Sequence, residues 1–258
     1  MKCITFSTPS LKSLLNDHFL ATCPDDLQAS VVIHQATGKY AWGSALFLEA
    51  LYARLDALID VVRQNQGDVV AWFDVDIQFF GRCSARMLEC LGDRDFCFQS
   101  EFWPPNGQIN VGVMVVRCNP KTLAFFQKAR AQDFSSLRFH DQTVIQNLLD
   151  AGESDVRWGV LPAEFWAYSH GGMPPDGLLL HHANGEGVLA KKIEQLNAVR
   201  HYVQACRRFS GAQRLIDRVH HSALASRLAR CIPLRWREYV KRKVYHGARL
   251  SYRPSCES

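Results

Sequence analysis

Two carboxylates at the end of an apolar run are the first residues equipped for chemistry. In Ala71-Trp72-Phe73-Asp74-Val75-Asp76-Ile77, Asp74 and Asp76 point the same way if the chain is extended. Paired oxygen ligands suit a divalent cation, which keeps open positions for phosphate oxygens. An Asp-x-Asp pair alone fits a solvated turn just as well. What distinguishes this one is the run before it: Val69–Phe73 is apolar throughout, as in a strand buried on both faces of a parallel sheet. Ligands of open α/β sheets bind outside the carboxyl ends of such strands.

A second apolar strand, Leu178-Leu179-Leu180, runs into His181-His182-Ala183-Asn184-Gly185. Imidazole can complete a manganese site beside carboxylates, and the other histidine would simply pack. Lys191 and Lys192 follow, suited to phosphate charge or to a solvated helix face. Gly112, inside the strand pattern Gln108–Val115, marks close approach of a ligand or a bulge. Asp141, in His140-Asp141-Gln142-Thr143, opens a helical pattern as a cap, or faces a ligand with Gln142.

The elements that carry these residues alternate. Strands are expected over 2–6, 30–34, 69–73, 96–99, 111–116, 156–160 and 178–180. Helices are expected around Leu11–Phe19, over 42–64, 84–91, 121–131 and 141–149, and from Leu189 onward. Such alternation predicts an α/β domain with a mostly parallel sheet flanked by helices. The 258 residues are 47% hydrophobic and 21% charged, a globular composition rather than a disordered one. No apolar run approaches the roughly 20 residues of a membrane span. The start, Met1–Phe6, turns polar too soon for a secretory signal. Nine cysteines without a CxxC pair fit a reducing, cytoplasmic compartment.

The net charge of +5 conceals two regions: residues 1–199 carry −6 and residues 200–258 carry +11. The expected organisation is a domain over 1–199 with a basic helical extension over 200–258. Leu215, Val219, Leu224, Leu228 and Ile232 recur at helical spacing among arginines, with Trp236 and Tyr239 beyond. A basic amphipathic helix with aromatics lies in an anionic membrane interface, or packs its apolar face on the body.

Taken in order, these features resemble the GT-A-fold, metal-dependent nucleotide-diphospho-sugar transferases. Asp74-Val75-Asp76 resembles their DxD motif, and Asn110-Val111-Gly112 their Asn-x-Gly strand. Asp141-Gln142 is similar to the Asp-Gln pair of the retaining, glycogenin-like and lipopolysaccharide-galactosyltransferase groups. Leu161-Pro162 with Phe165-Trp166, and His182-Ala183-Asn184 with Gly187 and the two lysines, resemble later segments. The likeness spans about residues 1–196. One departure is Val188, where the glycogenin-like groups carry a lysine six residues after the metal histidine.

The resemblance implies a metal, Mn2+ or Mg2+, on Asp74, Asp76 and His182. It implies donor contacts at Thr5, Lys39, Asp74 and Asn110, and at Gly112, Asn184, Gly185 and Lys191. Asp141, Gln142 and Glu101 are the implied catalytic residues, with retention of configuration favoured. The implied substrates are a nucleotide-diphosphate sugar, a UDP-sugar by default, and a glycan or lipid-linked acceptor, as in surface polysaccharide synthesis. Two alternatives come from the residues themselves: a haloacid-dehalogenase-type phosphohydrolase, less well matched because Gln78 stands at its fifth motif position, and a nucleic-acid-binding protein. The second has only the basic tail behind it, so no nucleic acid is expected.

Overall fold

Two strands, β1 (Lys2–Ser7) and β2 (Gln28–Ile33), pair in parallel at the start of the chain. Between them the helical segment Leu14–Leu20 buries Leu14, Leu15 and Phe19. Helix α1 (Ala45–Gln64) begins at Ser44, whose hydroxyl accepts the Phe47 amide at 3.2 Å and so satisfies one orphan donor. Its buried residues Leu55, Leu58, Ile59 and Val62 recur every three or four positions, as a helix lying on a sheet requires. The chain continues through β3 (Val69–Asp74), β4 (Ile77–Phe79), α2 (Ser84–Leu91), β5 (Phe96–Ser100) and β6 (Ile109–Arg117). It ends with α3 (Pro120–Arg130), α4 (His140–Asp150), β7 (Trp158–Val160), β8 (Phe165–Ala167), β9 (Leu180–His182) and α5 (Leu189–Val219).

This computed structural model describes residues 1–35, 44–133, 140–152, 154–171, 173–185 and 187–219, without the side chains of 140 and 208–219. Lys39, and the tail beyond residue 219 with its expected amphipathic helix, lie outside the described residues. Among the described residues no helix is long and apolar enough to cross a membrane. The chain divides into two compact units, Met1–Lys192 and Ile193–Ser258, with the division inside α5.

The main sheet has the order β2-β1-β3-β6-β5-β7. All its strands share one direction except β6, which runs antiparallel to both β3 and β5. The reversal has a functional consequence, because it brings the start of β6 to the edge where β1 and β3 end. A second sheet, β4-β9-β8, was not expected from the sequence. Its strands have three residues each, too few to show alternation, and the strand expected at 178–180 lies at 180–182.

Trp72 and Phe73 are both fully buried although successive strand residues face opposite sides. Trp72 joins the core beneath α1, α3 and α4, with Phe96, Phe98, Phe125 and Phe126. Phe73 packs edge-on to Phe79 at 5.2 Å between centroids, with Phe19 beside both. Burying each such side chain stabilises the fold by about 1.5–3 kcal/mol. β3 is therefore clamped on both faces, and the carboxylates at its end inherit that rigidity.

Candidate active site

The ends of β1 and β3 and the start of β6 open onto a cavity of about 720 Å³. Asp74 and Asp76 reach it from the end of β3, Asn110 and Gly112 from β6, and Asp141 and Gln142 from the first turn of α4. Glu101, His182, Asn184, Gly185 and Lys192 complete its polar side, and Leu11, Leu14, Phe47 and Leu51 form an apolar wall.

One ligand atom each from Asp74, Asp76 and His182 lie within 4.8 Å of one another. His182 Nε2 is 3.4 Å from Asp76 Oδ1 and 3.8 Å from Asp74 Oδ2. The alternation of β9 decides between the two histidines: His182 faces these carboxylates, while His181 packs against Trp166 at 4.9 Å between centroids. His181 is fully buried with neither ring nitrogen hydrogen-bonded, and burial holds its pKa down at about 3.

Gln99 orients His182. Its Nε2 donates to the Phe165 carbonyl at 2.9 Å, which leaves Oε1 to accept from His182 Nδ1 at 2.7 Å. In that network the lone pair of the imidazole sits on Nε2, toward the two carboxylates. Three electron-pair donors thus face one another, the set that a divalent cation takes. Gly112 leaves room for them: a Cβ there would stand 2.3 Å from His182 Cε1 and 2.7 Å from Asp74 Oδ2.

Two cations balance the carboxylates. Lys192 donates to Asp76 Oδ2, and to the Ala183 carbonyl at 3.0 Å. Burial alone would raise the Asp76 pKa, but the Lys192 ammonium outweighs it and holds the carboxyl well below its usual range. Arg54 donates to Asp74 Oδ1 at 2.9 Å, to the Val111 carbonyl at 2.8 Å, and to Asp141. Burial opposes its charge, and the two carboxylates more than restore it. Asp141, unlike Asp76, shifts upward: burial raises its pKa, and Arg54 only partly offsets the shift.

Glu101 is the centre of a second network. Its Oε2 accepts from Asn110 Nδ2 at 2.6 Å and Gln142 Nε2 at 3.4 Å, and its Oε1 from Asn184 Nδ2 at 3.3 Å. Asn110 Oδ1 in turn accepts the Gly112 amide at 2.8 Å.

Most residues singled out in the sequence therefore meet in one cavity, with two exceptions among the described residues. Thr5 does not line it: the side chain is buried within β1 between β2 and β3, its hydroxyl without a partner, and Ser7 and Thr8 at the strand end reach the cavity instead. Lys191 is exposed on α5, and its neighbour Lys192 enters the site. Sequence reasoning missed Arg54 and Gln99. Arg54 left a signal, since it falls three residues after Leu51 and four before Leu58, a charge inside the apolar stripe of α1. Gln99 left none.

A mixed sheet with one reversed strand, its ligand cavity at the edge where an Asp-x-Asp pair emerges, defines a GT-A-type glycosyltransferase fold. Residues 17–196 match the nucleotide-diphospho-sugar transferase family, and the chain belongs to that family. The match sets aside the phosphohydrolase alternative. A glycosyltransferase involved in the glycosylation of the major capsid of PBCV-1 shares the fold with a TM-score of 0.53 at 11% identity, over 76% of this chain and 97% of that one. The glycosyltransferase GlyE of Streptococcus pneumoniae does so with a TM-score of 0.52 at 11% identity, over 76% of this chain and 60% of its own. An uncharacterized protein of Arabidopsis thaliana is 31% identical over 116 residues, which is 45% of this chain and 34% of that protein. The chain thus spans about a third of the length of that curated relative.

Proposed function

We propose that the protein transfers a sugar from a UDP-sugar to a glycan or lipid-linked acceptor, using Mn2+ or Mg2+. The observation that carries the metal is the Asp74-Asp76-His182 cluster, in which two carboxylates and an oriented imidazole converge over a glycine. When bound, such an ion acts as a Lewis acid on the diphosphate and templates the donor.

The remaining steps fall to side chains. Lys192 supplies a fixed positive charge for the departing diphosphate, and Arg54 keeps Asp74 and Asp141 aligned at the cavity floor. In the transfer the bond from the anomeric carbon to the phosphate oxygen breaks, and its electron pair leaves with the nucleotide. An acceptor hydroxyl forms the new bond to the anomeric carbon and gives its proton to the departing diphosphate oxygen. The Glu101 network presents one carboxylate and three amides, suited to grip sugar hydroxyls. Retention of configuration follows the Asp141-Gln142 likeness, and the anomeric proton coupling of the product tests it. An inverted product would instead make Glu101 the base.

The basic tail fits peripheral attachment at the inner face of a membrane, near a lipid-linked acceptor; equal liposome flotation with and without residues 212–258 would refute this. For the reaction itself the experiment is hydrolysis and transfer of a panel of UDP-sugars, with Mn2+ and with chelator. At least one donor is expected to turn over only with metal. Turnover that ignores chelation would overturn the metal assignment, and no turnover of any donor would overturn the UDP-sugar reading.

A further inference from the structure

The segment after Glu101 links the donor cavity to a second, separate hollow. Glu101 lines the first cavity, and Trp103 and Pro105, two and four residues later, line a hollow of about 320 Å³. Two extended residues span only about 7 Å, roughly the length of one sugar ring with its glycosidic oxygen. Phe102 and Trp103 are 42% and 43% exposed, and they are the only exposed large aromatics among the described residues. Adjacent exposed aromatics beside a polar cavity mark an interaction site rather than a packing defect.

The segment is held in place. The Glu101 amide donates to the Gln108 carbonyl at 2.9 Å, and the Ser100 hydroxyl donates to the Phe102 carbonyl at 2.7 Å. His170 packs beside the Trp103 ring, 6.1 Å between centroids, and is itself tied to the Ser100 carbonyl at 2.7 Å. Trp103 is thus braced from one side.

The hollow pairs that aromatic with two planar guanidinium groups, Arg86 and Arg94. Arg86 is 2.8 Å from Glu89 and 3.4 Å from Glu164. Arg94 donates to the Cys90 carbonyl at 3.0 Å and crosses Gly159, where a Cβ would stand 2.9 Å from its Nε. Fork-shaped donors next to an aromatic face suit a sugar, whose ring offers apolar C–H faces and a rim of hydroxyls.

We infer that Glu101, Phe102 and Trp103 form a tract along which a glycan acceptor of two or more sugars lies, with its reacting end at Glu101 and its next residues on Trp103 and in the Arg86–Arg94 hollow. This inference rests on the transferase reading above and adds a substrate class to it: an oligosaccharide rather than a single sugar.

The test uses the fluorescently labelled full chain on an array of defined mono- and oligosaccharides, with UDP and Mn2+ present. Wild type is expected to bind some oligosaccharides and to prefer them to their terminal monosaccharides. Trp103→Ala is expected to bind about tenfold more weakly and to lose that length preference. Phe102→Ala serves as a second variant, and the melting temperature of each confirms folding. Wild-type-like array binding by both variants would overturn the tract, as would the absence of oligosaccharide binding by wild type. Stabilisation of wild type by UDP with Mn2+ separates the two readings. Its absence sinks the UDP and metal reading of the donor site, whereas its presence with an unaltered Trp103→Ala profile sinks the tract alone.

Discussion

Asp76 and Glu101 are carboxylates on one cavity, yet they are built for different partners. Asp76 is buried among charges: Lys192 on one oxygen, the His182 imidazole on the other side, Asp74 nearby. Glu101 is half-buried and meets only amides, from Asn110, Gln142 and Asn184. The first setting rewards a cation, since opposed electron pairs close together are relieved by positive charge. The second rewards hydroxyls, which exchange readily with amide donors and acceptors. One cavity thus has an ionic end and a hydrogen-bonding end, and a nucleotide sugar has both kinds of group.

The sharpest way to break the ionic end without touching a charge is Gly112→Ala. The added methyl collides with His182 and Asp74, so overpacking of about 1–3 kcal/mol is expected. Displacing the cluster should also lower metal-dependent turnover by about 100-fold. A lowered melting temperature together with lost metal response supports the close approach; a wild-type metal titration contradicts it.

At the other end, Glu101→Gln keeps the shape and removes the charge. Charge-assisted hydrogen bonds are worth about 1.5–3 kcal/mol, so transfer should fall by about 10- to 100-fold. Affinity for UDP with Mn2+ should hold, because the ionic end is intact. An equal loss of nucleotide affinity would erase the distinction between the two ends.

A smaller effect separates the two histidines. The unfolded chain protonates His181 near pH 6.5, whereas burial delays this to about 3 in the fold. Its contribution to stability is therefore complete above pH 6.5 and declines as the pH falls toward 3. Between pH 7 and 5 the loss is about 2 kcal/mol, read by urea unfolding. His181→Phe should flatten that decline, and a profile parallel to wild type would show that His181 is not its source.

Much of this arrangement was legible in the residues. The unbroken apolar run of β3 announced a strand buried on two faces, and Asp74 and Asp76 at its end do line the cavity. Gly112 marked a close approach, although its neighbours could not be named. The direction of β6 was not legible, because an apolar strand reads the same both ways and only its pairing reveals the reversal. Lys191 and Lys192 are equivalent by composition, and the orientation of one helical turn separates them. Thr5 shows a similar limit: the strand reaches the cavity at Phe6 and Ser7, with the Thr8 that follows, one residue beyond Thr5.

Asp74, Asp76 and His182 are proposed to hold a divalent cation that recruits the nucleotide. Calorimetric titration of UDP into the full chain, with Mn2+ and with chelator, for wild type and Asp76→Asn, decides whether they do. Metal-dependent UDP binding by wild type and at least a tenfold loss in Asp76→Asn is the predicted result. Equal UDP affinity with and without Mn2+, or an Asp76→Asn titration that overlays wild type, would contradict it.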